Sequence, residues 1–146
     1  MNNLIYYSPD LVMVIHLLST AIMVGVIWVI QLLHYPSFHF IEKDKYIKFQ
    51  HFHMNRISII VIPVMIIEIL SGFLLLKPSF NSNIFFIISV FILIVIWVTT
   101  FLFFTRIHQD LSSGYNRLTV NKLVMINWVR TILWSSRLII LLFINI

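Results

Sequence analysis

The chain has 146 residues, 60% of them hydrophobic and 10% charged, and its mean hydropathy is +1.00. A soluble domain of this size buries only about two-thirds of its surface and cannot hide so much apolar area, so the composition points to a membrane protein. The formal charge of +5 would suggest a nucleic-acid partner for a soluble protein; here it reads as an orientation signal, and no nucleic acid is expected.

The N-terminal "MNNLIYYSPD" has no basic region and no small-residue cleavage site, so the first apolar run is expected to stay as a span. Apolar runs at 11–34, 56–77, 83–107 and 122–144 are each long enough to cross a hydrocarbon layer of about 30 Å. Pro36 fits the end of the first span, and Pro63 lies inside the second, where a membrane helix tolerates it. "IEKDKYIKFQHF" (41–52) suggests a short amphipathic helix at the interface, with Tyr46, Phe49 and Phe52 towards lipid. "KPSFNSN" (77–83) has the Pro, Ser and Asn of a tight connection. Lys43, Lys45, Lys48 and Arg56 gather around the first loop, 35–55, and Arg106, Arg117 and Lys122 around the third, 106–122; the second has only Lys77. That asymmetry places both basic loops in the cytoplasm and both termini outside, in the plasma membrane of a bacterium. The predicted fold is all-α: a single domain, 1–146, forming an integral-membrane antiparallel four-helix bundle.

Helical spacing shows where the polar residues point. Leu123, Asn127, Arg130, Trp134, Arg137 and Leu141 follow a 4-3-4-3-4 rhythm on one face of the fourth span. Trp97, Thr100, Phe104 and His108 share a face of the third. His16, Thr20, Gln31 and His34 align on the first, and His53, Arg56, Ile60, Val64, Glu68 and Ser71 on the second. Lipid cannot solvate such groups, so the four stripes are expected to face one another. Depth then sorts the charges. Glu68 is the one acid well inside a span and lies level with Arg137, which predicts a structural ion pair. Arg130 is left without a carboxylate and should meet water, a carbonyl, Asn127, a lipid phosphate or an anionic substrate.

Absence of cysteine excludes disulfides, thiolate zinc sites, iron–sulfur clusters and covalently attached haem. Six histidines remain. His34, His53 and His108 fall at similar depth near the cytoplasmic edge. They could ligate a non-haem metal or haem b, transfer protons and bind substrate, or simply sit hydrated at the interface. His39 lies beyond Pro36 and is expected to be dispensable. Trp97, Trp134 and Gln31 are candidates for binding a flat substrate, although packing is the plainer reading of the tryptophans. Gly25 and Gly72 could permit close helix approach. No phosphate-binding loop, HExxH or nucleophile elbow occurs.

"RIHQDLSSG" (106–114) followed by "LVMINWVRT" (123–131) resembles the small four-helix membrane proteins of the anthrone oxygenase-like family. Those proteins typically carry a polar residue followed by Leu after the third span, and a W/N/R pattern opening the last helix. His108 and Leu111 match the first feature, with His in place of the more usual Asn; Asn127, Arg130 and Thr131 match the second. The resemblance implies a monooxygenase that converts polyketide anthrones to quinones. His34, His53 and His108 depart from that pattern and suggest a metal- or haem-dependent relative. The expected function is therefore an integral-membrane oxidoreductase or oxygenase acting on a hydrophobic aromatic or quinone-like molecule. Arg130, Asn127 and His108 would be its catalytic groups, in a polar interior open to the cytoplasm. The alternatives are a non-enzymatic binder or carrier of haem, metal or a lipophilic anion, and a structural membrane subunit. The expected partners are membrane lipid, a hydrophobic small molecule and a second copy in a homo-oligomer.

Overall fold

The structure is a computed structural model that describes residues 8–76 and 83–145. Lys77 and nearly all of the connection at 77–83 lie outside the described residues. Four helical spans, long and apolar enough to cross a membrane, form the bundle: Pro9–Phe40, Tyr46–Leu75, Ile84–Ser112 and Arg117–Ile144. No strand occurs among the described residues. The first span comprises α1 (Pro9–Val29), a wide π-type turn (Ile30–His34), α2 (Tyr35–Ser37) and a tight 3₁₀ turn (Phe38–Phe40). The second is a single helix, α3 (Tyr46–Leu75). The third comprises α4 (Ile84–Thr99), a second π-type turn (Thr100–Phe104) and α5 (Thr105–Ser112), and the fourth is α6 (Arg117–Asn145).

Local chemistry sets the helix starts. Pro9 occupies the first turn of α1, where its missing N–H costs nothing. Asn83 accepts from the Phe85 amide at 2.9 Å, and Asn116 from the Leu118 and Thr119 amides at 2.9 and 3.1 Å. Pro36 does not end the first span, contrary to the sequence expectation. The wide turn before it, in which the Tyr35 amide reaches back to the Ile30 carbonyl, loosens the ladder where a proline would otherwise clash.

The helices run past the expected span ends, so the basic "loops" are mostly helix. The true turns at that end are short, at 41–45 and 113–116. The interfacial helix expected over 41–52 is corrected accordingly. α3 begins at Tyr46, and Tyr46 is fully buried rather than turned to lipid, whereas Phe52 is exposed. The second-span stripe also needs correction. His53, Glu68 and Ser71 are buried, but Arg56 and Ile60 face outwards and Val64 is only half-buried.

α1 packs on α3 and on α6, and α4 packs on α6. α3 meets the third span chiefly through α5. Around the bundle the order is therefore second, first, fourth, third span, with the looser seam between second and third. Three apolar clusters stack along the axis. Phe86, Val90 and Leu141 fill the end near the termini. Met23, Ile27, Met65, Ile96 and Trp134 fill the middle. Tyr35, Phe38, Tyr46, Phe104, Ile107 and Leu111 fill the end near the two short turns.

Candidate functional site

The fourth-span stripe is buried along its whole length, from Leu123 to Leu141. Its two arginines lie about two helical turns apart on one face and meet different surroundings. Arg137 forms an ion pair with Glu68, both side chains being fully buried. Its Nε donates to the Ser89 carbonyl at 3.1 Å and its guanidinium reaches Thr20 Oγ1 at 3.0 Å and His16 Nε2 at 2.7 Å. An arginine can only donate. His16 Nε2 therefore accepts, the His16 proton sits on Nδ1, and that nitrogen donates to Ser71 Oγ at 2.8 Å. Glu68 also contacts Thr20 Oγ1 at 2.8 Å and accepts from Trp134 Nε1 at 3.2 Å. The network draws on all four spans and neutralises its own charge. Gly72 makes room for it, since a Cβ there would lie 3.0 Å from His16 Cε1; Gly25 has open space around it and mediates no close approach.

Arg130 is as deeply buried but makes no ion pair among the described residues. Its guanidinium lies 4.1 Å from the Phe104 ring centre and 5.1 Å from that of Trp134. Cation–π attraction of this kind contributes about 2 kcal/mol when desolvated, well short of an ion pair's share in offsetting burial. The Tyr35 hydroxyl faces it, and its Nε has no partner. Arg130 lines a cavity of about 400 Å³ together with Tyr35, His108, Trp97, Thr100 and a wall of apolar side chains. Trp97 Nε1 is also buried without a partner. An apolar chamber with a few convergent polar groups has the make-up of a small-molecule site. Ile30, Thr100, Phe101 and Phe104, from the two wide turns, form part of its wall; such turns are frequent at functional sites.

The histidines come together beside this chamber. His34 Nε2 lies 2.6 Å from His53 Nδ1, and the His53 and His108 ring centres are 5.5 Å apart. Gln50 Nε2 donates to His108 Nδ1 at 3.1 Å, which leaves Nε2 to donate to the Tyr35 hydroxyl, also at 3.1 Å. The Tyr35 oxygen thus accepts from His108 and faces the Arg130 cation, so its own proton is free for a third partner. The three histidines form the cluster that the sequence expects, but the structure does not support joint metal ligation by His34, His53 and His108. Both ring nitrogens of His108 are engaged, and no group of three or more metal-ligating side chains among the described residues is placed to hold an ion. Because the helices continue beyond the histidines, His53 lies about two turns inside α3 and is covered by the Tyr35–Phe38–Tyr46 cluster.

The remaining expected site residues are placed elsewhere. Asn127 Nδ2 donates to Gln31 Oε1 at 2.8 Å, and Gln31 Nε2 reaches the Val124 carbonyl at 3.3 Å. The two amides tie the first span to the fourth, and neither lines the 400 Å³ cavity. Trp134 lies behind Arg130, between it and Glu68, and is not in the cavity wall; Trp97 is. His39 is bonded to the Tyr115 hydroxyl at 3.0 Å. Tyr35 is the residue that sequence reasoning missed. Its signal was present, since it adjoins His34 and falls one turn after Gln31 on the buried face, but Pro36 made the segment read as a loop. Comparison with known protein families, with curated proteins and with solved structures finds no match.

Proposed function

We propose that this integral-membrane protein binds a hydrophobic aromatic or quinone-like molecule in the 400 Å³ cavity and acts on it as an oxidoreductase or oxygenase, with both termini outside. The observation that carries this reading is Arg130, a buried cation lining an apolar chamber with no carboxylate to neutralise it. A ligand oxygen that is anionic, or becomes so, would supply the missing charge. Deprotonation of a phenol or enol, one route into its oxidation by molecular oxygen, builds negative charge on oxygen, and a pre-placed cation in a low-dielectric chamber stabilises that charge. Tyr35 adds a hydroxyl donor, held in place by His108 and Gln50. Trp97 offers a ring face and an unpaired N–H. The resemblance of 106–114 and 123–131 to the anthrone oxygenase-like proteins supports the same substrate class.

A non-enzymatic carrier of a lipophilic anion is the second reading. It is favoured by the engagement of both His108 nitrogens, which leaves the chamber without a free imidazole base. The test uses purified protein in lipid nanodiscs with anthrone and hydroquinone as probes. Binding and oxygen uptake by the wild type, both abolished in Arg130→Leu at unchanged helical content, is the expected result. Binding without uptake selects the carrier. Equal binding by the wild type and Arg130→Leu defeats both readings.

A further inference from the structure

The second span is fully buried at its two ends and only partly between them, where Ile57, Val61 and Val64 pack on the apolar clusters. On α3 the buried residues are Tyr46, Gln50 and His53, then Met65, Glu68, Ser71, Gly72 and Leu75. From Met54 to Val64 nothing is fully buried, and the cavity occupies that interval. Its wall is completed by the third span at Trp97, Thr100, Phe101 and Phe104, across the loose seam of the bundle. Four wall residues also belong to the outer surface, Thr105 and three apolar ones. Ile62 is 52% exposed, Ile66 43% and Phe101 60%. In a membrane that surface faces acyl chains. The chamber therefore has a cation at its inner end and lipid at its outer end.

From this geometry we infer that the ligand is a tailed amphiphile that reaches the cavity sideways from the bilayer. Its oxygen-bearing head lies against Arg130 and Tyr35, and its hydrocarbon tail leaves past Ile62, Ile66 and Phe101 into lipid. The inference rests on the reading of the cavity as the binding site and adds the form of the ligand. A chamber of about 400 Å³ is near the lower end for small-molecule sites; it holds a ring-sized head, not a head with a long chain. A chain already dissolved in the bilayer and left there on binding loses nothing. Affinity relative to membrane-dissolved ligand is then independent of tail length. Relative to ligand in water it rises about fourfold per methylene, through partitioning alone.

The test uses the wild-type protein in phosphatidylcholine nanodiscs. The probes are dibromophenols bearing an ethyl, octyl or tetradecyl chain para to the hydroxyl, and the methyl ethers of the same compounds. Bromine quenches tryptophan emission; the Trp97→Phe variant identifies the share that comes from Trp97. The inference expects all three phenols to quench Trp97 saturably, with midpoints within about threefold when expressed per mole of lipid, and the ethers not to saturate. An ethyl phenol that binds while octyl and tetradecyl phenols do not would show a closed chamber; that sinks the lateral route and leaves the cavity reading intact. If no phenol differs from its ether, the cavity reading itself fails and takes this inference with it.

Discussion

Arg130 and Arg137 share one helix face and one degree of burial, yet their partners assign them opposite tasks. Arg137 is held by Glu68, Thr20, His16 and the Ser89 carbonyl, and each of those groups depends on it in turn. Removing one side of a buried pair strands a charge, at a typical cost of 3–5 kcal/mol. Arg137→Leu and Glu68→Leu should each lower stability by about that amount, and the double variant should recover most of the loss. Thermal unfolding in detergent measures the cycle; two losses that simply add would deny the coupling. Arg130→Leu removes an unpaired cation and should be neutral or stabilising in the same assay, since functional groups often sit where stability is sacrificed. This much was legible in the sequence, because a 3.6-residue period and a depth count need no knowledge of packing. The partners of neutral polar groups were not. Gln31 and Asn127 bond to each other, and Trp134 to Glu68, according to which side chains the helix crossings bring within reach.

The two wide turns, Ile30–His34 and Thr100–Phe104, were invisible to a periodicity argument. One extra residue in a turn shifts the register only locally, and the flanking stripes still read as helical. The second lies between Trp97 and His108, both of which line the cavity. Deleting Leu102, which is 63% exposed, would remove the extra residue and restore an ordinary ladder with α5 still aimed as before, whereas inserting one alanine after Leu102 would leave a residue that the turn cannot absorb and swing α5 by about 100° relative to α4. After the insertion His108 would lose Gln50 and Tyr35, at about 1–3 kcal/mol for each polar group left unpaired. The insertion should therefore depress the melting temperature far more than the deletion. Similar melting of the two would mean that the wide turn has no role in placing the third span. Helix ends were misjudged for a related reason. Lys48, Arg56 and Arg106 read as loop residues, but long basic side chains extend from a helix into the interface without interrupting it.

For the molecule as a whole, the charge asymmetry predicts that the turns at 41–45 and 113–116 are cytoplasmic. Ser113→Cys has no native cysteine to compete with it. It should resist an impermeant maleimide in intact cells and react after lysis; labelling in intact cells reverses the topology. The bundle order carries a further consequence, for assembly. The first two spans form one hairpin and the last two another, and most of the polar bonds between spans run from one hairpin to the other. Arg137 reaches Glu68, Thr20 and His16; Asn127 reaches Gln31; His108 reaches Tyr35 and Gln50; Tyr115 reaches His39. Each hairpin alone is thus a poor membrane solute, with an uncancelled charge, and each is the other's remedy. Cut within 77–82 and produced as two polypeptides, the halves should find one another in the bilayer and co-purify. A first half bearing Glu68→Leu should lose its partner, and a second half bearing Arg137→Leu should restore the match. Recovery that ignores which charge is missing would show that the halves join by shape alone.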